Sequence, residues 1–304
     1  MADHLLRALG LEGRVRAVAA VTTDTAEELR RIHDPSPQVA AAVARVATGA
    51  LLLAALLEKV TTREPVLTLE IDGGGPAGRL IATASPAGWV RAAVANPRAS
   101  TPKPPDAPLT VAGVVGTSGQ LTVTRDPGVG EPYRGVVPLR TSEIATDLAH
   151  YLDGSEQHPT AVVLGVRVLP QGRVGHSGGL LLQILPGVSE DEAQELAGRV
   201  RALRGVTERL LHGEGPRQWF AQLFPGGVWI LDQIAVEFRC GCSEGRVETA
   251  LKLLGSQEIR EIIEHSHERT TELTCGFCHT SYTVPIGRLK VLLEEVEAEQ
   301  RALN

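Results

Sequence analysis

The sequence predicts an α+β fold with an N-terminal core domain of sheet and helix, a helical linker and a small C-terminal domain. β-prone segments crowd the first 185 or so residues without regular helix alternation, the chain turns Glu- and Arg-rich from Gly187, and all four cysteines lie beyond residue 239. Strands that cluster in this way favour α+β over a doubly wound parallel sheet. The boundaries we assign are 1–186 for the core domain, 187–235 for the linker arm and 236–304 for the cysteine-bearing domain.

In the core domain, strands are expected at Arg14–Thr22, Pro65–Asp72, Trp89–Ala95, Leu109–Val115, Gln120–Arg125, Tyr133–Pro138, Thr160–Val168 and Gly179–Leu185, rich in Val, Leu, Thr and Ile and bounded by Gly or Pro. A helix should start at Thr25, whose hydroxyl can cap it while Glu28 reaches back. A second should follow Ser36-Pro37 and run to about Lys59, its Val39, Val43, Val46, Ala50, Leu53 and Leu57 falling on one face. A third fits Ser142–Leu152. Gly73-Gly74-Gly75-Pro76-Ala77-Gly78 satisfies the bare dinucleotide-binding pattern, but no helix follows. Pro76 and the β-prone Arg79–Ala84 indicate a hairpin turn instead. Ser118 and His176 form no hydrolase signature, and His176, beside Gly175 and Gly178, reads as a turn residue. No catalytic or cofactor-binding residue is expected, and the chain is read as non-enzymatic.

The linker arm opens on Ser189-Glu190-Asp191-Glu192, a capping box. Its apolar stripe of Ala193, Leu196, Val200 and Leu203 is thin and interrupted by Gly198, so the helix needs a partner to stay folded. The apolar and aromatic residues that follow, among them Trp219, Phe220, Phe224, Trp229 and Leu231, are either ordinary packing or surface that becomes exposed when the arm moves.

Length and composition set the wider limits. With 304 residues, 43% of them hydrophobic and 22% charged, the chain can bury a full-sized core. A net charge of -6 argues against the basic footprint of nucleic-acid binding. The N-terminus carries Asp3 and no apolar run long enough for a signal peptide, and no stretch approaches the ~18 uninterrupted apolar residues of a membrane span. A cytoplasmic location, with neither membrane nor nucleic acid as partner, is expected.

Cys240, Cys242, Cys275 and Cys278 are spaced Cys-x-Cys, then thirty-two residues, then Cys-x-x-Cys. Two close pairs brought together can present four thiolates tetrahedrally, the arrangement zinc prefers in closed structural sites, so all four are expected to be Zn2+ ligands. Cys275-Gly276-Phe277-Cys278 lies between β-prone Thr270–Thr274 and Thr280–Val284, as in a zinc knuckle, with Gly276 expected to take the strained backbone and Gly241 to turn the other pair. Two constitutive disulfides, a thioredoxin-like site and a different metal are the competing readings. His265, His267 and His279 are read as solvated or outside the ligand shell.

Helices Glu244–Leu254 and Ser256–Glu264, the hairpin and a last helix after Pro285 complete a segment of 65 residues from Cys240. The acidic run Glu294–Glu299 reads as a solvated helix face. Domains under about 70–80 residues seldom fold without a staple, and zinc would supply one. Oxidation of each adjacent pair to a disulfide would remove the ligands, and the domain should unfold. A Cys-x-Cys disulfide closes a small, strained ring that is easily reduced.

Val236-Glu237-Phe238-Arg239-Cys240-Gly241-Cys242-Ser243 followed by Cys275-Gly276-Phe277-Cys278 resembles the signature of the heat shock protein 33 family of redox-regulated bacterial chaperones. Tyr133-Arg134-Gly135-Val136-Val137, Ser155-Glu156-Gln157-His158-Pro159-Thr160 and Gly178-Gly179-Leu180-Leu181-Leu182-Gln183 are similar to family motifs in the same order, with Gly74 a departure where an acidic residue is expected. The resemblance implies an ATP-independent holdase, inactive when reduced and zinc-bound. On oxidation such a protein loses zinc, unfolds its C-terminal domain and linker, forms a homodimer and binds unfolding client proteins. Within this sequence the likeness makes the four cysteines both ligands and sensors. A constitutive zinc-ribbon module for protein or nucleic-acid interaction is the alternative.

Overall fold

The computed structural model describes residues 1–57, 63–102, 109–156, 158–203, 205–266 and 269–303. Lys59, Gln157 and His267 lie outside them. The chain divides into two compact units, Met1–Arg239 and Cys240–Asn304.

The first unit opens with the hairpin β1 (His4–Gly10) and β2 (Val15–Val21), followed by helices α1 (Thr23–His33) and α2 (Pro37–Ala54). Strands β3 (Val66–Asp72), β4 (Leu80–Ala84) and β5 (Trp89–Val94) precede the short α3 (Ala112–Val115), then β6 (Gln120–Asp126), β7 (Tyr133–Pro138) and α4 (Ala145–Glu156). Next come β8 (Thr160–Val168), β9 (Val174–Ile184), α5 (Glu190–Ala202), α6 (Val206–Leu211), α7 (Pro216–Leu223), β10 (Val228–Ala235) and β11 (Glu237–Phe238). They build a five-stranded sheet, β10-β1-β2-β9-β8, and a six-stranded sheet, β11-β5-β4-β3-β6-β7. All pairings are antiparallel except β11 with β5. The α+β architecture read from the sequence is the one observed.

Helix α2 packs against strands of both sheets. It is long and apolar enough to cross a membrane by length and composition, yet 89% of it is buried inside the protein. Ser36 caps it as expected, accepting a hydrogen bond from the Val39 N–H with Pro37 in the first turn. The helix ends at Ala54, short of the periodic pattern. β9 approaches so closely that a Cβ on Gly179 would meet Leu52 Cδ1 at 2.9 Å and Thr48 Cγ2 at 3.0 Å. Glycine there lets helix and strand touch.

The five-stranded sheet is covered on both faces. Leu5, Val18, Ala20 and Leu181 join the core shared with α2 and the second sheet, while Leu6, Ala17, Ala19 and Leu182 point into a separate cluster beneath α5–α7. That is why β2 reads as an almost unbroken Val/Ala run rather than an alternation. On the covering side, Leu196, Leu203, Leu210, Trp219, Phe220 and Leu223 are buried. The Ser189–Glu192 capping box forms, and Glu192 also takes two hydrogen bonds from Arg14 at 2.8 Å each, fixing the start of α5 to the residue that opens β2. Because Ala193 and Ala197 face the sheet, a cavity of about 220 Å³ remains between α5 and Pro159, Leu182 and Ile184.

Several expectations change. β1 adds a strand before the first expected one, whereas the Gly73–Gly78 hairpin turn forms as expected and joins β3 to β4. Leu109–Val115 is a turn and the helix α3, not a strand. Its Val114 and Val115 carbonyls accept from Ala77 and Gly75 in that hairpin turn, and the Val111 and Ala112 N–H groups go to Glu143, so no ladder partner is available. His176 lies inside β9 opposite Arg167, not in a turn, while exposed Ser118 precedes β6 of the other sheet. In the segment 187–235, read as helical, Val228–Ala235 is a strand pairing with β1. It leaves Trp229 58% and Leu231 52% exposed.

The start of α1 is also different. Thr25 is inside the helix, and the first-turn N–H groups of Asp24 and Thr25 donate to the buried Asp3 carboxylate at 3.1 and 2.7 Å. A carboxylate at this place satisfies orphan donors and complements the helix dipole. Asp3→Ala is therefore expected to lower stability by about 1–2 kcal/mol in urea unfolding with an unchanged m-value. A loss below ~0.3 kcal/mol would show that α1 does not depend on this cap.

Candidate metal centre

The second unit comprises α8 (Glu244–Leu254), α9 (Ser256–His265), the hairpin β12 (Thr270–Thr274) and β13 (Ser281–Pro285), and α10 (Ile286–Leu303). Its buried core consists, among the described residues, of Leu251, Ile259, Val284, Leu289, Leu292 and Val296. The acidic face of α10 is more than solvated. Lys252 meets Glu295 at 2.6 Å, Arg260 meets Glu297 at 2.5 Å, and Arg288 holds Glu248 at 2.7 Å. These pairs are substantially exposed, so they add little to stability compared with the apolar contacts.

β12 and β13 pair in register from Thr270↔Pro285 to Thr274↔Ser281. The turn between them carries Cys275 and Cys278, closed by Cys275 N–H to the Thr280 carbonyl and His279 N–H to the Cys275 carbonyl, both at 2.9 Å. The left-handed residue is His279, at φ +57°, and Gly276 is not left-handed. Gly241 is not left-handed either. It supplies room, since a Cβ there would lie 3.1 Å from Arg246 Nη1. Cys240 and Cys242 sit in irregular chain ahead of Ser243, which caps α8.

All four sulfurs lie within 4.8 Å of one another, and all four cysteines are half-buried and unbridged. Cys240 Sγ is 3.8 Å from Cys275 Sγ, and Cys242 Sγ is 3.3 Å from Cys278 Sγ. Four sulfurs about 2.3 Å from a common centre would be about 3.8 Å apart in a tetrahedron, so the donor set fits a tetrahedral thiophilic ion. His265 uses its Nδ1 on the Glu261 carbonyl of its own helix, at 2.8 Å. His279 is exposed.

The sulfurs are not equivalent. Burial pushes the Cys240 thiol up to about 12. Cys278 is also opposed by burial, but its hydrogen bonds with the Thr280 hydroxyl and backbone N–H draw it down to about 6. Cys242 Sγ accepts a hydrogen bond from the Tyr282 phenol at 3.0 Å, and that bond raises Tyr282 to about 12. Thr280 and Tyr282 were not singled out in the sequence. Their only signal was two hydroxyl-bearing residues just after the knuckle, with Tyr282 on an alternating strand.

The sequence model of the family described as Hsp33 protein matches residues 3–285, which takes in all four cysteines. The chain belongs to the Hsp33 family. Relatives named 33 kDa chaperonin are 40% identical over 303 residues in a Cyanothece species, covering 98% of this chain and 99% of that protein. In Listeria monocytogenes the figure is 37% over 300 residues, covering 98% of this chain and all of the relative. The crystal structure of a Thermotoga maritima 33 kDa chaperonin, a heat shock protein 33 homolog, superposes with a TM-score of 0.83 at 28% identity, covering 97% of this chain and 98% of that one. Membership in this chaperone family agrees with the fold and with a cysteine cluster able to hold a metal.

Loading the full chain with cobalt is expected to give one ion per chain and the visible bands of a tetrahedral thiolate complex, lost in Cys275→Ser. Octahedral bands, or full retention in Cys275→Ser, would contradict a four-sulfur site.

Proposed function

We propose that this Hsp33-family chain is a redox-regulated, ATP-independent holdase whose switch is a zinc site formed by Cys240, Cys242, Cys275 and Cys278. The observation that carries the proposal is the convergence of four thiols within 4.8 Å in a unit with a very small apolar core. Zinc would neutralise thiolate charge and cross-link the beginning of the unit to its middle. With it bound, the core domain 1–186, the linker arm 187–235 and the zinc domain 236–304 stay folded and apolar surface stays covered.

Peroxide provides the oxidant. A thiolate attacks one peroxide oxygen to give a sulfenic acid and hydroxide, and the neighbouring thiol displaces water from that sulfur, so two thiols and one peroxide become one disulfide and two waters. The bridges proposed are Cys240–Cys242 and Cys275–Cys278. Either one leaves too few thiolates for a closed tetrahedral site, and neither ties the two pairs together. The unit then loses its staple and unfolds.

Arg239, the residue before Cys240, is tied to the first unit: its N–H donates to the Val90 carbonyl at 3.1 Å, and its guanidinium lies 5.2 Å from the Trp89 ring centroid. Loosening there would next reach β10 and the α5–α7 layer, whose thin Ala-containing stripe leaves a cavity of about 220 Å³ beneath α5. Its release would expose Trp219, Phe220, Leu223 and the sheet face beneath, an apolar surface suited to unfolding client proteins and to a homodimer of oxidised chains. We place this activity in the cytoplasm, with no catalytic step.

The test combines peroxide titration at elevated temperature with zinc release, client light scattering and disulfide mapping. Oxidised protein should suppress client aggregation as zinc leaves, the reduced zinc form should not, and the bridges should be Cys240–Cys242 and Cys275–Cys278. Cross-bridges such as Cys242–Cys278, which would hold the unit shut, or zinc retained with constant activity, as in a constitutive zinc ribbon, would refute it.

A further inference from the structure

Resting on the redox-switch reading, we propose that Tyr282 is a positioning residue that sets the oxidant threshold of the site by donating its phenol hydrogen to Cys242 Sγ.

Three of the four sulfurs are hydrogen-bonded in different ways. Cys240 Sγ accepts from the backbone N–H of Cys242, and Cys278 Sγ has the backbone N–H and the hydroxyl of Thr280. Backbone donors belong to the turns themselves and persist as long as those turns do. Cys242 depends instead on a side chain forty residues away, at 3.0 Å. Tyr282 is half-buried on β13, opposite Leu273 and two residues before the buried Val284, so the hairpin register aims its ring.

A hydrogen bond to a thiolate draws electron density from the sulfur. It keeps the anion as a ligand and weakens it as a nucleophile toward peroxide. Formation of the Cys240–Cys242 bridge requires Cys242 either to attack peroxide or to attack a sulfenic acid on Cys240, with two thiols and one peroxide giving one disulfide and two waters. Both routes use the electron pair that the phenol engages. Because the donor comes from the hairpin, the bond also links the condition of the Cys275–Cys278 end to the reactivity of the Cys240–Cys242 end. Once the hairpin loosens, Cys242 loses its phenol and becomes the better nucleophile. Tyr282 thereby ties the reactivity of Cys242 to the folded state of the hairpin.

The experiment uses the full reduced, zinc-loaded chain and Tyr282→Phe, which keeps the ring and removes only the hydroxyl. Peroxide-driven zinc release is followed with a chromogenic chelator, and disulfides are mapped at timed quenches. Release should quicken on the order of tenfold, the scale of one hydrogen bond to a charged acceptor, with Cys240–Cys242 appearing earlier. In the cobalt-loaded forms, loss of the bond should move the sulfur-to-metal charge-transfer band to longer wavelength. A ring-fluorinated tyrosine at position 282, a stronger donor, should move rate and band the opposite way, which a purely structural ring would not do. Rates within about twofold and an unmoved band would overturn the proposal. If peroxide fails to release zinc from the unaltered chain, the switch reading fails, while the cobalt band still decides whether Tyr282 acts on Cys242.

Discussion

Four sulfurs held within 4.8 Å of one another are the constraint on which the second unit depends. Two of them come from irregular chain before α8 and two from the tip of a hairpin, so the cluster joins the beginning of the unit to its middle. That arrangement sets Cys278, drawn down to about 6, against Cys240, which burial pushes up to about 12, and the six buried aliphatic side chains must carry the rest. A unit of this size rarely folds on such a core alone. The ion pairs on α10 are too exposed to replace the missing cross-link.

The first unit has an asymmetry that gives this dependence a consequence. One face of its five-stranded sheet shares a continuous core with α2 and the second sheet, and the other is covered by the single α5–α7 layer. The second covering is pinned by the Arg14–Glu192 pair, the Ser189 cap and the burial of Trp219 and Phe220, but small residues leave space beneath α5. If the proposed switch operates, this covering is the one whose release would expose apolar surface to a client.

Much of this was legible in the sequence because the features are local. Cysteine spacing, the Ser189 capping box, Ser36-Pro37 and the β12–β13 alternation each depend on residues close together in the chain. What escaped depends on partners far away. β1 is rich in Leu and Ala rather than β-branched residues, and its strand conformation is decided by β2 and β10. Val111–Val115 has β propensity, yet its backbone groups are claimed by Glu143 and the β3–β4 turn. The α1 cap comes from Asp3, twenty residues before the helix starts, rather than from the nearer threonine. The knuckle was recognised, but the strained position fell on His279 rather than Gly276 because the backbone reverses after the second cysteine. Tyr282 gave no motif at all, since its role exists only once the hairpin faces Cys242.

The most direct measurement separates metal loss from oxidation: zinc is stripped by a chelator under reducing conditions and hydrogen exchange is followed along the chain. If the metal is the staple, amides of α8, α9, β12, β13 and α10 lose protection while those of α2, β2 and β9 keep it. Full protection of the second unit in the metal-free, reduced protein would contradict the account.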